Sequence, residues 1–267
     1  MVEPWAALGT PDPTGTVPLV FAAPSEGPDG ASVAFFVGGF RHGACTDADD
    51  ALLSVDECAR TRARLLAEPG AWTELPVPLA VAVARRAIRG ALPEPLEHLL
   101  LLLPAAQRAA IAAAHDPWSR LPSTPDPRAL HDVDALSGGD PSRPGLGVLL
   151  APDTVYDGAV AVDAALRAPG QAAGDRRAAI SGALDALATR WWATEDHATW
   201  AFACEALALV GHHRKDERLL RAAWSTALAI RGGTPGAALP IVRAEVERNV
   251  AHALSEARRS RGPRAEG

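Results

Sequence analysis

The segment FFVGGFRHGACTDADD, residues 35–50, holds the side chains best suited to chemistry. An imidazole with carboxylates suits Mn²⁺, Fe²⁺ or Zn²⁺, so His42, Asp47 and Asp50 are candidate catalytic and metal-binding residues. Cys45 is a candidate nucleophile, because a thiolate beside an imidazole is reactive. The alternative is structural, since acidic residues ahead of a helix stabilise its positive end. The segment predicts either a reactive loop after a strand or the approach to a helix.

A second polar group lies in HDVD, residues 131–134. His131 and Asp134 could complete a metal site begun at His42, because loops carry functional residues disproportionately. The same residue types are also common in ordinary turns. No cofactor is therefore expected unless these residues bind a divalent metal ion.

The well-marked catalytic motifs are missing from the chain. It contains no phosphate-binding loop, dinucleotide fingerprint, HExxH zinc motif, GxSxG elbow or paired CxxC. The one lysine, Lys215, lies in the polar run HHRKDE, where the desolvation that activates a lysine nucleophile is not expected. These observations favour a non-catalytic protein over an enzyme.

Candidate partner-binding residues lie on two predicted helices. Arg85, Arg86 and Arg89 cluster on one side of the helix in PVPLAVAVARRAIRGA, where they could bind a phosphate or carboxylate or simply form a solvated face. Trp192 lies one step off the apolar face marked by Trp191. It could line a groove for a partner, although core packing is the alternative.

Charge is distributed unevenly along the chain. The first 140 residues carry 10 arginines against 18 acidic residues, which argues against a broad nucleic-acid surface there. The C-terminal end is basic and is either a solvated tail or a nucleic-acid contact. Its candidate residues are Arg258, Arg259, Arg261 and Arg264.

Compartment is indicated by the cysteines and the apolar runs. Cys45, Cys58 and Cys204 are odd in number and have no CxxC spacing, which predicts free thiols in a reducing compartment. No signal peptide is visible, and HLLLLLPAA is too short to cross a bilayer. We expect a cytoplasmic, soluble protein without membrane association.

The N-terminal region predicts a small β-hairpin with attached helices. Residues 16–22 and 31–38 favour strands joined by a loop of about eight residues, and Pro18 would place the first strand at a sheet edge. Ser54 and Glu57 have the spacing of a capping box, which predicts a helix from Ser54 to Glu68. Two short helices, 93–103 and 104–115, are separated by Pro104.

The C-terminal region predicts helices. Beyond Asp175 the apolar residues recur with helical spacing, and residues 197–211 are apolar on nearly all sides, as in a buried helix. The expected fold class is α+β, predominantly helical, with a C-terminal antiparallel helical bundle. The predicted divisions are an α+β region (1–115), a Pro/Gly-rich connection (116–174), the bundle (175–260) and a basic tail (261–267).

Three functions follow from these observations. The leading one is a non-catalytic cytoplasmic interaction or adaptor module that binds a partner protein through its helical half. The first alternative is a metal-dependent hydrolase or nuclease that uses the cluster of His42, Asp47 and Asp50. The second is association with nucleic acid through the Arg-rich C-terminal tail.

Overall fold

The structure is a computed structural model that describes residues 3–27, 30–68, 70–88, 90–137, 145–146, 152–168 and 172–260. The strands are β1 (Trp5–Gly9), β2 (Val17–Gly27), β3 (Gly30–Arg41), β4 (Ala44–Ser54) and β5 (Trp72–Leu75). The helices are α1 (Val55–Ala67), α2 (Val77–Ala87), α3 (Glu94–Leu101), α4 (Ala105–Ala113), α5 (Pro127–Leu130), α6 (Val133–Leu136), α7 (Pro152–Arg167), α8 (Ala173–Trp192), α9 (His197–Arg214), α10 (Glu217–Arg231) and α11 (Pro240–Ser260). The predicted class, α+β with mainly helices, is confirmed.

The strands form one antiparallel sheet with the order β4-β3-β2-β1-β5. The predicted hairpin is β2 and β3, but its strands are longer than expected, and pairing continues to Gly27 and Gly30. Pro24 is tolerated inside β2 because β1 reaches only as far as Ala22. Beyond that residue β1 does not continue, so the lack of an N–H on Pro24 costs no hydrogen bond to β1.

The prediction that Pro18 places its strand at an edge is wrong, since β2 lies in the middle of the sheet. The reason is the register: the pairing of β1 with β2 ends at Leu8 and Leu19. Pro18 therefore lies one residue past the end of the β1 ladder, where no hydrogen bond is lost. Because β1 is short, a proline is compatible with a strand in the middle of this sheet.

The acidic segment is neither a loop nor a helix approach. His42 and Gly43 form the turn of a second hairpin, with Gly43 at φ 86°, and the acids lie on the edge strand β4. A bulge opposite Gly38 interrupts the ladder, and there Asp47 adopts φ 52°. Bulges and charged side chains are common protections of an exposed edge against pairing with other chains.

The start of α1 follows local chemistry. The Ser54 hydroxyl accepts a hydrogen bond from the backbone N–H of Glu57, and the Glu57 carboxylate accepts one from the N–H of Ser54. This reciprocal pair is the predicted capping box, and α1 lies within the predicted range. Pro104 likewise separates α3 from α4 as predicted.

Strand alternation divides the sheet into two apolar faces. On one face Cys58 of α1 packs with side chains of three strands, namely Trp5, Ala7, Val20, Ala22 and Val33. The other face carries a row of tilted aromatic contacts, with ring centroids 6.2 Å apart for Phe21 and Phe36 and 6.3 Å for Phe36 and Phe40. Helices α2 and α3 contact the strands there. Both faces are therefore covered, while no described strand pairs with the outer side of β4.

The chain divides into two compact units that are not consecutive in sequence. The first comprises residues 1–147 and 198–228, and the second comprises residues 148–197 and 229–267. The helices expected to form one C-terminal bundle are therefore shared between the units. In the first unit, residues 199–211 of α9 are all buried, as the apolar pattern predicts.

The turn between α9 and α10 explains the placement of the single lysine. Lys215 has φ 59°, its N–H donates to the carbonyl of His212, and the N–H of Asp216 donates to that of Gly211. These two bonds form a Schellman motif, with lysine where glycine is usual. The position agrees with the predicted polar connection between helices.

The second unit is built on α7, α8 and α11, which contact one another. Helix α7 lies inside the predicted connection 116–174, where we expected no long helix. Close packing is made possible by glycines: a Cβ on Gly158 would lie 2.3 Å from Leu187, and one on Gly236 would lie 2.3 Å from Trp192. None of the helices in the described ranges has the length and apolar character needed to cross a membrane.

Candidate functional site

The side chains of the acidic segment are spread along a hairpin. His42 is at its turn, Asp47 at the bulge and Asp50 on the exposed part of β4. Asp49 and Asp50 pair with Val37 and Phe36, so strand alternation places them on opposite faces of the sheet. The geometry separates carboxylates that are adjacent in sequence.

Cys45 does not have the environment of a reactive thiol. Its half-buried position, and secondarily the charge of Asp47, raises the pKa of the Cys45 thiol to about 11. The group is therefore a protonated thiol at neutral pH, whereas nucleophilic cysteines have lowered pKa values. Cys58 and Cys204 are buried, and all three cysteines are free.

The five predicted metal ligands do not come together as a set. Across the described residues, no three His, Cys, Asp or Glu side chains are grouped so that they could hold a metal ion. His131 and Asp134 flank Asp132, whose carboxylate accepts two hydrogen bonds from Arg218, at 2.5 and 2.6 Å. The HDVD segment thus connects the short helices α5 and α6 to α10.

Arg86, one of the predicted partner-binding arginines, forms an ion pair inside the first unit. Its Nε donates to Oε2 of Glu205 at 2.9 Å, and its Nη2 donates to Oε1 at 3.1 Å. Glu205 is fully buried on α9. The hydrogen bonds that Arg86 donates to Glu205 raise the pKa of Arg86, which holds the guanidinium charged despite its partial burial.

Trp118 joins the same arrangement. The Arg86 guanidinium carbon lies 5.2 Å from the ring centroid of Trp118, and the indole N–H donates to the backbone oxygen of Glu205 at 3.0 Å. Arg85 is exposed and lines an adjoining cleft of about 270 Å³ with His115 and Asp116. Arg89 lies outside the described residues.

Trp192 is buried rather than displayed. Its ring stacks on His197, with centroids 4.6 Å apart and planes at 10°, and its backbone oxygen lies 2.8 Å from the imidazole Nε2. Gly236 packs directly against its Cβ. A substitution at Trp192 would therefore disturb the packing of the second unit before it affected any partner.

The predicted nucleic-acid residues are only partly described. Arg259 is exposed in the last turn of α11. The Arg258 side chain and all of Arg261 and Arg264 lie outside the described residues. The tail hypothesis stays a prediction.

Exposed apolar side chains, which sequence reasoning did not single out, occur in two groups. The first group belongs to β4, the start of α1 and the end of α3; the second belongs to α7. The members of the first are Leu52, Val55, Leu101 and Leu102, and those of the second are Tyr156, Val160 and Leu166. Exposed apolar groups that cluster indicate binding surfaces, whereas scattered ones do not.

The second group borders a groove of about 490 Å³ between α7 and α11. Tyr156 is 69 % exposed and Val160 is 52 % exposed, one helical turn further along. Polar pairs lie along the groove: Arg167 forms an ion pair with Asp163 at 2.9 Å on α7, and His252 Nε2 lies 3.4 Å from the Glu256 carboxylate on α11. We call this surface the α7–α11 groove.

Leu102, a member of the first group, lines a groove of about 410 Å³ between strand β4 and helix α3. Asp50 and Ala51 line it from the strand, and Glu94, His98 and Leu102 line it from the helix side at intervals of one turn. His98 Nε2 lies 3.9 Å from the Glu94 carboxylate. We call this surface the β4–α3 groove.

One sequence signal for the buried ion pair was available. Glu205 is the only charged residue between positions 198 and 211, a stretch that is otherwise apolar or neutral. A lone acid in a helix that is buried on all sides requires a partner. The exposed residues of α7 carried no comparable signal, because their pattern resembles that of an ordinary amphipathic helix.

Comparison with known proteins gives no match: no family model fits the chain, and neither curated proteins nor solved structures include a similar one.

Proposed function

We propose that this protein is a non-catalytic, cytoplasmic interaction module that binds a partner protein through its helical part. The observation that carries the proposal is the pair Tyr156 and Val160, both more than half exposed and one turn apart beside the α7–α11 groove. When a second apolar surface covers large apolar side chains in this arrangement, their removal from water contributes favourable binding free energy.

The groove suits an amphipathic helix of the partner. Its lining combines apolar residues of α7 and α11, such as Ala159 and Leu254, with the Asp163–Arg167 ion pair and the polar pair His252–Glu256. An apolar strip with charged borders matches the apolar face and polar flanks of a helix lying in a groove. We expect the partner to contribute apolar side chains three or four residues apart.

Several side chains suited to catalysis form ion pairs or are held protonated, which supports a non-catalytic protein. Glu205 is paired with Arg86, Asp132 with Arg218, and the raised pKa of Cys45 keeps it a thiol. The free cysteines support a reducing, cytoplasmic location. The metal-dependent and nucleic-acid alternatives have no specific observation in their favour within the described residues.

A display library of helices tests the proposal and does not require the partner to be identified. A single scaffold helix with one randomised face is selected against the purified full chain, and binders are measured by fluorescence anisotropy. Binders that present apolar residues at i and i+4 are expected. Their affinity should fall at least about tenfold with Val160→Asp, since a charge would be buried in the interface.

Leu166→Asp is the matched control. It makes the same apolar-to-acid change on the exposed part of the same helix, at a residue that does not line the groove. Circular dichroism confirms that both variants fold. The proposal is rejected if no helix is selected, or if Val160→Asp and Leu166→Asp weaken the selected binders equally.

A further inference from the structure

Within the described residues, no strand pairs with the outer side of β4, so its backbone groups form an open edge. Strand β4 spans 11 residues and pairs with β3 on one side only, at the end of the strand order. The N–H of Asp50 donates to the side chain of Asp49, and the N–H of Ser54 donates to Glu57, so neither bonds to β3. Because backbone groups alternate along a strand, those of Leu52 also point outward.

The same residues define a groove on one face of the sheet. Asp50 and Leu52 pair with Phe36 and Ala34, and strand alternation places all four on the face that α3 borders. A chain that added to β4 would therefore direct every second side chain into the β4–α3 groove. Leu52, 52 % exposed, and Leu102, 43 % exposed, offer it apolar contacts.

The charge of the surface selects the occupant. Asp50 and Glu94 line the groove, Asp47 and Asp49 lie on the same strand, and β4 carries no lysine or arginine. His98 is the only basic residue in the lining. Lysine or arginine side chains of an incoming strand would meet carboxylates, whereas acidic ones would be repelled.

The same charges exclude a second copy of the chain as the occupant. Two β4 strands paired edge to edge would bring three aspartates of each copy close to those of the other. Like charges on paired strands are destabilising, which is one way that natural proteins protect an open edge. A basic segment is the complement that removes this repulsion.

We propose that the β4–α3 groove binds an extended, basic segment of a partner protein, which adds to the sheet as a strand beside β4. Backbone hydrogen bonds to the carbonyl of Asp50 and to the outward N–H and carbonyl of Leu52 provide affinity, as in other strand-addition complexes. Specificity comes from lysine or arginine at alternate positions, with an apolar side chain between Leu52 and Leu102. The surface lies in the first unit and is independent of the α7–α11 groove.

The test uses a library of random linear nonapeptides selected against the purified full chain. Enriched peptides are expected to alternate basic with other residues and to bind more weakly as salt is raised, because the carboxylates are solvent-exposed. Leu102→Arg should weaken them at least about tenfold, since Leu102 lines the groove and the change places a cation there. N-methylation of alternate peptide nitrogens should abolish binding, because it removes ladder donors.

Leu101→Arg is the control, since it makes the same change at an exposed leucine that does not line the groove. Thermal unfolding of both variants confirms that they fold. The proposal is overturned if no peptide is enriched, or if the enriched peptides lack basic residues. It is equally overturned if Leu102→Arg has no more effect than Leu101→Arg, or if N-methylated peptides still bind.

Discussion

Arg86 and Glu205, which are 119 positions apart in the chain, meet in a two-bond ion pair that connects α2 to the buried helix α9. Glu205 is fully buried, while the Arg86 side chain remains 32 % exposed in the cleft that it shares with Trp118. The carboxylate therefore depends on this arginine for compensation of its charge. The pair acts as a connection within the first unit rather than as a free binding group.

Removal of Arg86 should destabilise the protein strongly. Arg86→Met removes the positive charge that pairs with the buried Glu205 carboxylate, and breaking a buried ion pair costs about 3–5 kcal/mol of unfolding free energy in comparable cases. The double variant Arg86→Met/Glu205→Leu should recover more than half of that loss, because no uncompensated charge remains. Urea denaturation of the two variants measures both effects. Equal stability of the single and double variants would contradict the prediction.

Substitution of two helical glycines by alanine should change the stability of the protein in opposite directions. A Cβ on Gly158 of α7 would lie 2.3 Å from Leu187 and 2.9 Å from Val250, so Gly158→Ala should cost about 1–3 kcal/mol through overpacking. At Gly182 of α8, no described atom outside the adjoining residues and the local helix backbone lies within 4 Å of the added carbon. Gly182→Ala should therefore stabilise by about 0.5–1 kcal/mol through reduced chain entropy. Thermal unfolding compares the stability of the two variants. Stabilisation by both substitutions would contradict the prediction and show that the contact around Gly158 relaxes freely.

Glu245 of α11 should make stability depend on pH. Burial raises the pKa of this carboxyl, and the charge of Arg248 opposes the rise only in part. Since the folded state holds the proton more tightly, the contribution of Glu245 becomes unfavourable as pH rises from its unfolded pKa through its folded pKa. Glu245→Gln should therefore gain stability relative to the native protein across that range and keep the gain above it.

Urea denaturation at intervals from pH 4 to pH 8 measures this difference. Glu247→Gln, at an exposed position on the same helix, controls for the loss of one formal charge. If Glu245→Gln were less stable than the native protein at pH 7, the ion pair with Arg248 would outweigh the cost of burial.

Cys45 should react slowly with alkylating reagents. With a pKa of about 11, its thiolate is rare at pH 7.5, and modification by iodoacetamide should be about tenfold or more slower than that of a free cysteine. Asp47→Asn should accelerate the reaction, because the charge of Asp47 contributes to the raised pKa. Peptide mapping by mass spectrometry follows Cys45 separately from the two buried cysteines. Rapid alkylation of the native protein would revive the reactive-cysteine hypothesis.

Local signals in the sequence were sufficient for the elements that depend on neighbours in the chain. The Ser54–Glu57 capping box marks the start of α1, Pro104 separates α3 from α4, and the apolar stretch 197–211 forms the buried helix α9. The first two depend on residues within a few positions of one another. The third depends on an apolar pattern repeated along a whole helix. The predominantly helical α+β class follows from the same signals.

The candidate sites depended on distant contacts and were harder to predict. Asp47, Asp49 and Asp50 have low strand propensity, and they form β4 because β3 supplies the ladder beside them. The sequence indicates Arg86 and Trp192 as candidate partner-binding residues. It could not show that Arg86 forms an ion pair with Glu205 or that Trp192 stacks on His197. The two grooves were not predicted, since each is lined by residues from separate elements.

The sequence by itself therefore determined the bounds of α1, the break between α3 and α4, the burial of α9, and the lack of well-marked catalytic motifs. Only the tertiary structure decided which strand edge is open, which charges are compensated, and which apolar side chains stay exposed. The physical reason is range. Capping and periodic burial act between residues a few positions apart, whereas strand pairing, ion pairing and surface exposure depend on segments that meet only in the folded chain.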